Sequence, residues 1–223
     1  MRSTRIALLL AALAAAGCGS SSNDSGPTEL TGTVRGQPFT VVEAAFAGPE
    51  TSNDCSIDIP GVPAPVPYAP SSVLIGFSKS PGLCQTLTTP CAMKKSFGLV
   101  GGLLVHARIS LTGAAVTAPP LDVASYPVVA DPGSLTPDTT GAVRVGIFSA
   151  NETDDACLDK PSIDATGTAT ISAISANEIR GSLDLTFEDG GKLAGPFVAT
   201  RCDVAYDACT PEPPICNGTP TCN

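Results

Sequence analysis

The chain has 223 residues and a mass of 22.3 kDa, enough for one domain of ordinary size but short for two independent cores. Charged residues at 15%, with 22 Gly and 21 Pro, argue against a helical bundle, while 43% apolar residues and nine Cys argue against disorder. A net charge of −9 excludes a nucleic-acid partner, whose phosphates would repel the chain, and the absence of Trp with only three Tyr and one His removes most of the means for sugar stacking or imidazole catalysis.

The chain opens with Arg2 and Arg5, then an unbroken apolar run from Ile6 to Ala16, then Gly17 and Cys18. The run is too short for a bilayer, which needs about twenty apolar residues, and fits a secretory signal peptide over residues 1–17. Small residues directly before a Cys resemble the lipobox of bacterial lipoproteins, with Ala15 where Leu is usual. The resemblance implies that Cys18 receives a diacylglyceryl group and acyl chains such as palmitate and becomes the mature N-terminus. It also implies outer-membrane sorting, because Gly19 stands where Asp would signal inner-membrane retention. Residues 18–29 are rich in Ser and Gly, the composition of a flexible tether.

From Leu30 the pattern has period two. Leu30 to Arg35 and Phe39 to Phe46 read as a hairpin turning at Gly36-Gln37-Pro38. Five Pro between Pro60 and Pro70 predict an extended surface loop, after which Val73 to Ser78 resumes a strand. Pro81 suits the first turn of a short helix before Lys95. Leu103 to Leu111 alternates as a half-buried strand, with His106 and Arg108 on its polar face. Val143 to Phe148 and Gly167 to Ile174 follow. Ile179, Gly181, Leu183, Leu185 and Phe187 then share one face, and Asp189-Gly190-Gly191 turns the chain into a partner strand over Lys192 to Thr200. Many short strands with no sustained helical period predict an all-β domain over residues 30–205, an antiparallel sandwich or small barrel stapled by disulfides. Residues 206–223 form a Cys/Pro-rich tail with little to bury.

Setting Cys18 aside leaves Cys55, Cys84, Cys91, Cys157, Cys202, Cys209, Cys216 and Cys222, an even number that an exported chain would use as four disulfides. Neighbourhood in sequence suggests Cys55 with Cys84 or Cys91, Cys157 with Cys202, and the remainder within the tail. No C-x-x-C doublet occurs, and His106 is remote from the cysteines, so zinc is not expected. Gly76-Phe77-Ser78-Lys79-Ser80 falls one Gly short of a nucleophile elbow and reads as a chance match. Glu152, Asp154, Asp155 and Asp159 form the one oxygen-rich loop that calcium could use, although such loops are usually solvated turns. No cofactor motif is present, and an enzyme is not expected.

The lipobox and tether, the stretch Thr31-Gly32-Thr33-Val34-Arg35-Gly36-Gln37-Pro38-Phe39, and the stretches Gly181 to Gly191 and Gly195 to Cys202 together resemble lipoproteins of myxobacteria and their relatives. That resemblance brings no catalytic residues and does not extend to the Cys/Pro-rich tail. The expected function is a lipid-anchored, non-catalytic envelope module, attached to the membrane through Cys18, that either binds a protein or small-molecule partner or serves a structural part. The alternative is a carrier of a small apolar ligand in a barrel cavity lined by Val105, Ile109, Leu183, Leu185 and Phe197.

Overall fold

The computed structural model describes residues 28–58, 63–89, 92–93, 95–130, 141–210 and 221–222. The signal segment, Cys18, most of the tether, Cys91 and Cys216 therefore lie outside the described residues. The strands are β1 (Thr31–Val34), β2 (Gln37–Thr40), β3 (Glu43–Thr51), β4 (Cys55–Ile57), β5 (Val66–Ser78), β6 (Ala92–Met93) and β7 (Gly98–Ile109). They continue as β8 (Ser125–Val128), β9 (Ala142–Glu152), β10 (Ile163–Ile174), β11 (Glu178–Phe187), β12 (Lys192–Arg201) and β13 (Thr221–Cys222), with one helix, α1 (Leu83–Thr88).

Eight strands close into a barrel in the order β11, β10, β8, β9, β7, β5, β3, β12 and back to β11. Two seams interrupt the antiparallel pairing. At one, β12 meets β3 in parallel through Thr200 opposite Ala45 and Arg201 opposite Phe46. At the other, β9 and β10 pair only through Ile163 with Ala150 and Asp164 with Ser149, and the short β8 is inserted where they diverge. The β1–β2 hairpin lies along β12 at residues 192–194 and sends Leu30, Val34, Phe39 and Val41 into the interior.

The interior is solid. Phe46, Phe77, Leu104, Tyr126, Phe148, Leu185 and Phe197 are all essentially inaccessible to solvent. Phe77 and Phe197 meet edge to face at 5.1 Å. Glycines make room for rings: a Cβ on Gly102 would lie 2.2 Å from Phe148, and one on Gly181 would lie 2.8 Å from Phe197. Of the residues expected to line a ligand cavity, Leu183, Leu185 and Phe197 belong to this packed interior, whereas Val105 lies in a separate cluster on the outer face, with Ile109 packed against it. The five do not surround one space.

Several expectations are corrected. The Pro-rich stretch is a strand from Val66 onward, because its prolines fall where no N–H is needed. The Pro67 carbonyl accepts from Ser110 N on the β7 side, so its nitrogen points past the end of the β5–β7 ladder at Tyr68 and Ile109. Likewise the Pro70 carbonyl accepts from Ser52 N, so its nitrogen points past the last β3 pair, Thr51 with Ser71. The first turn sits at Arg35-Gly36, both at positive φ, one residue earlier than the Gly-Gln-Pro triplet suggests. The β7 strand is buried on both faces from Leu104 to Ala107, so its alternation does not separate core from solvent.

Among the described residues the disulfides are Cys55–Cys209, Cys84–Cys202 and Cys157–Cys222. None of the expected local pairings forms among the described cysteines. The β12–β3 seam delivers Cys202 to the side of the sheet that carries α1, and the following residues run back along β5 until Cys209 reaches β4. Sequence separations of 154, 118 and 65 residues make these long loops. In the chain-entropy picture one such cross-link taken alone contributes about 4–5 kcal/mol. The tail is thereby part of the fold at Cys209 and Cys222.

Gly102→Ala is expected to lower the thermal midpoint, at a cost of about 1–3 kcal/mol for overpacking, because the new methyl meets the Phe148 ring. Calorimetry checks this; an unchanged midpoint would place Phe148 elsewhere.

Candidate functional site

Chemistry-bearing side chains gather at the two ends of the β5, β7 and β9 strands, and an apolar pocket lies between them on the outer face.

At the first end, His106 is buried at 6% exposure, not solvated as its place on a polar face suggests. The even-numbered residues of β7 face the barrel interior, and at this mouth that face is covered by the segment carrying Pro119, Pro120 and Asp122. His106 Nδ1 lies 2.8 Å from the Pro120 carbonyl and 3.4 Å from Asp122 Oδ1. Arg144, opposite His106 on β9, donates to Asp122 Oδ1 at 3.2 Å and Oδ2 at 2.6 Å, and the Tyr126 hydroxyl donates at 3.0 Å to Asp122. Ser71, opposite His106 on β5, gives its hydroxyl proton to the Pro119 carbonyl.

A Ser, a His and an Asp thus come together, but both Ser71 and His106 engage backbone carbonyls of the covering segment. This arrangement fastens a loop over the mouth rather than activating a nucleophile, which requires the hydroxyl to face the imidazole. Ser78 is at the other end of β5, seven residues from the Ser71–His106 pair and so about 23 Å away along the strand. Its hydroxyl accepts from Ser80 N at 3.0 Å.

The Arg144 guanidinium, and after it the Tyr126 hydroxyl and the His106 charge, hold the Asp122 carboxyl below its ordinary range against the opposing effect of burial. Burial pushes the phenols of Tyr126 and Tyr206 up, and that of Tyr68 to about 12. Ser71, Asp122, Tyr126 and Arg144 were not singled out from the sequence; they are far apart along the chain and belong to no motif.

At the second end, Glu152 is surrounded by cations. Lys160 Nζ lies 3.3 Å away, Lys79 Nζ 3.6 Å and Arg35 Nε 3.9 Å. Arg35 also donates to the Pro161 carbonyl, while its Nε is buried and makes no hydrogen bond. The carboxylates of the candidate calcium loop are engaged separately. Asp154 Oδ1 accepts from the backbone of Ala156 and Leu158, Asp155 accepts from Ser96, and Asp159 pairs with Thr153 through its backbone. The carboxylates shape the loop and do not converge; among the described residues no group of His, Cys, Asp or Glu is placed to hold a metal.

Between the two ends, the outer face of β3, β5, β7 and β9 carries a pocket of about 210 Å³. Gly76 and Gly101, cross-strand partners, form its floor. Leu74, Leu99, Leu103 and Ile147 stand around them, with Leu87 of α1 and Val204 beyond β12 as further walls. Ser149 and Asn151 edge it, and Asn151 Nδ2 donates to Ser149 Oγ at 3.2 Å. Leu99 and Asn151 also line a small second cavity with Arg35, Gln37, Lys79 and Glu152.

No protein family, no curated protein and no solved structure matches the chain.

Two outcomes follow for pH. A carboxyl whose folded pKa is lowered contributes stability above the unfolded value, near 3.9, that is lost as pH falls through the lowered one. Asp122→Asn should therefore be less stable than the parent at neutral pH and should lose less stability on acidification; equal losses in melts across the acid range would remove Asp122 from this role. The raised phenols act in the opposite direction, with their stability complete below about pH 10 and lost as pH rises beyond it. Phenolate absorbance should therefore appear together with unfolding in an alkaline titration, and full ionisation of a still-folded chain would contradict their burial.

Proposed function

We propose that the chain is an exported envelope protein, anchored to the bacterial outer membrane through lipid on Cys18, whose barrel is a non-catalytic binding module. The observation that carries this reading is the set of three cystines linking strand, helix and loop to the C-terminal part of the chain, since disulfides on this scale belong to oxidising compartments. The short apolar leader ending at Cys18 agrees with it. More than one acyl chain on Cys18 would hold the domain firmly, where a single chain binds only weakly. The non-catalytic part of the reading is supported by the engagement of Ser71 and His106 with the Pro119 and Pro120 carbonyls.

The carrier reading gains an observation of its own, at a different place. The pocket beside Gly101 is outside the barrel, so an apolar ligand would be held on the sheet's outer face and not in its lumen.

The intact mass of the natively processed protein, before and after reduction and thiol alkylation, tests the proposal. The expected mass begins at Cys18 with acyl chains added, and the other eight cysteines take up label only after reduction. A terminus without lipid would remove the anchor, and thiols that react before reduction would remove the oxidising compartment.

A further inference from the structure

Neither packing nor backbone conformation requires glycine at position 101. Gly102 is required by the Phe148 ring, and Gly98 gives way to the Lys79 stem, whose Cε would lie 2.7 Å from a Cβ there. A Cβ on Gly101 would meet nothing but Leu99, at 3.9 Å, and its backbone does not demand glycine. Glycine inside a strand weakens the strand, and one cause for it is the close approach of a ligand to the backbone. Gly101 lies on the floor of the outer pocket.

The walls of that pocket are aliphatic, and among the described residues no aromatic ring lines it, so it suits a flexible hydrocarbon better than a flat ring. Its volume of about 210 Å³ is below that of a site for a drug-sized molecule. One edge is polar. Past Asn151 and Leu99 it adjoins the small cavity where Arg35 and Lys79 stand. There three cations share the single carboxylate of Glu152, and Arg35 Nε is buried without a hydrogen bond. Apolar and cationic surfaces therefore meet across Leu99 and Asn151, in a protein whose overall charge is −9.

We propose that this pocket binds a single-chain anionic amphiphile, its hydrocarbon lying over Gly101 and its anionic head directed past Asn151 to Arg35 and Lys79. The inference rests on the reading of the barrel as a binding module and gives that module a ligand class. A carboxylate and a phosphate monoester head share the required chemistry.

The test uses the mature chain with Cys18→Ser, so that its own lipid does not compete, and titrates decanoate, decyl phosphate and neutral decanol calorimetrically below their aggregation limits. Decanoate or decyl phosphate should bind saturably at one site, and whichever binds more tightly identifies the head. Gly101→Leu should abolish binding while leaving the thermal midpoint near that of the parent, and Gly101→Ala should weaken it. Lys79→Gln should weaken the anion about tenfold and leave decanol unchanged, the loss of one charge-assisted contact. No saturable binding by either anion, or binding indifferent to both Gly101 variants, would overturn the proposal. Equal affinity for decanol and the anions would overturn the assignment of the head. Since the probe protein carries no anchor, none of these failures touches the anchoring of the native chain.

Discussion

The seam between β12 and β3 is one of the short joins in the barrel and the one on which the outer face depends. Two parallel pairs hold it, Thr200 with Ala45 and Arg201 with Phe46, where neighbouring antiparallel strands run together for most of their length. A barrel that opened here would expose an edge of unpaired backbone groups. The chain reinforces the join at once: Cys202 N donates to the Phe46 carbonyl at 2.7 Å, and Cys202 is bonded to Cys84 on α1. Val204 and Tyr206 continue across the sheet, with the Tyr206 hydroxyl donating to the Ser72 carbonyl at 2.6 Å, and Cys209 ends the run on β4. The segment after β12 thus acts as a strap across the seam, cross-linked at both ends.

The strap and α1 also produce the pocket. A sheet this rich in glycine and aliphatic residues on its outer face would ordinarily be exposed, and large exposed apolar patches are rare on single domains. Leu87 from α1 and Val204 from the strap wall the glycine floor, leaving a pocket in place of an open patch. The interior offers no comparable room, because Phe148 fills the space of the missing Gly102 side chain and Phe197 that of Gly181. The open pocket therefore sits outside the barrel as a consequence of how the inside is filled.

The sequence was most informative where one face of the sheet is wet. Ile179, Leu183, Leu185 and Phe187 alternate cleanly with exposed partners because β11 has solvent on its other side, and its hairpin with β12 turns at Asp189-Gly190-Gly191 as that chemistry demands. Where both faces are covered, period two loses its meaning. The β7 strand reads as half-buried from sequence, and His106 as solvated, only because the cover over its mouth comes from Pro119, Pro120 and Asp122, a stretch with no strand or helix pattern. The short β8 has too few residues to register as periodic. The prolines of β5 argue against a strand until the neighbouring ladders are known to end beside them. Cystine pairing was the least legible feature, since it is set by strand order around a closed ring and not by distance along the chain.

The two polar ends of the same three strands differ in a way that bears on function. Arg144 and Glu152 both lie on β9, eight residues and about 26 Å apart. At the Arg144 end Arg144, Asp122, Tyr126 and His106 engage one another and carbonyls of the loop, which fastens a cover. At the Glu152 end three cations meet one carboxylate, and a buried guanidinium nitrogen is left without a hydrogen bond. Burying a donor without a partner is costly, so the unpaired Arg35 Nε is retained more readily where an anion can accept from it. The balanced end reads as structure and the unbalanced end, which shares Asn151 with the aliphatic pocket, as the place where the barrel meets something else.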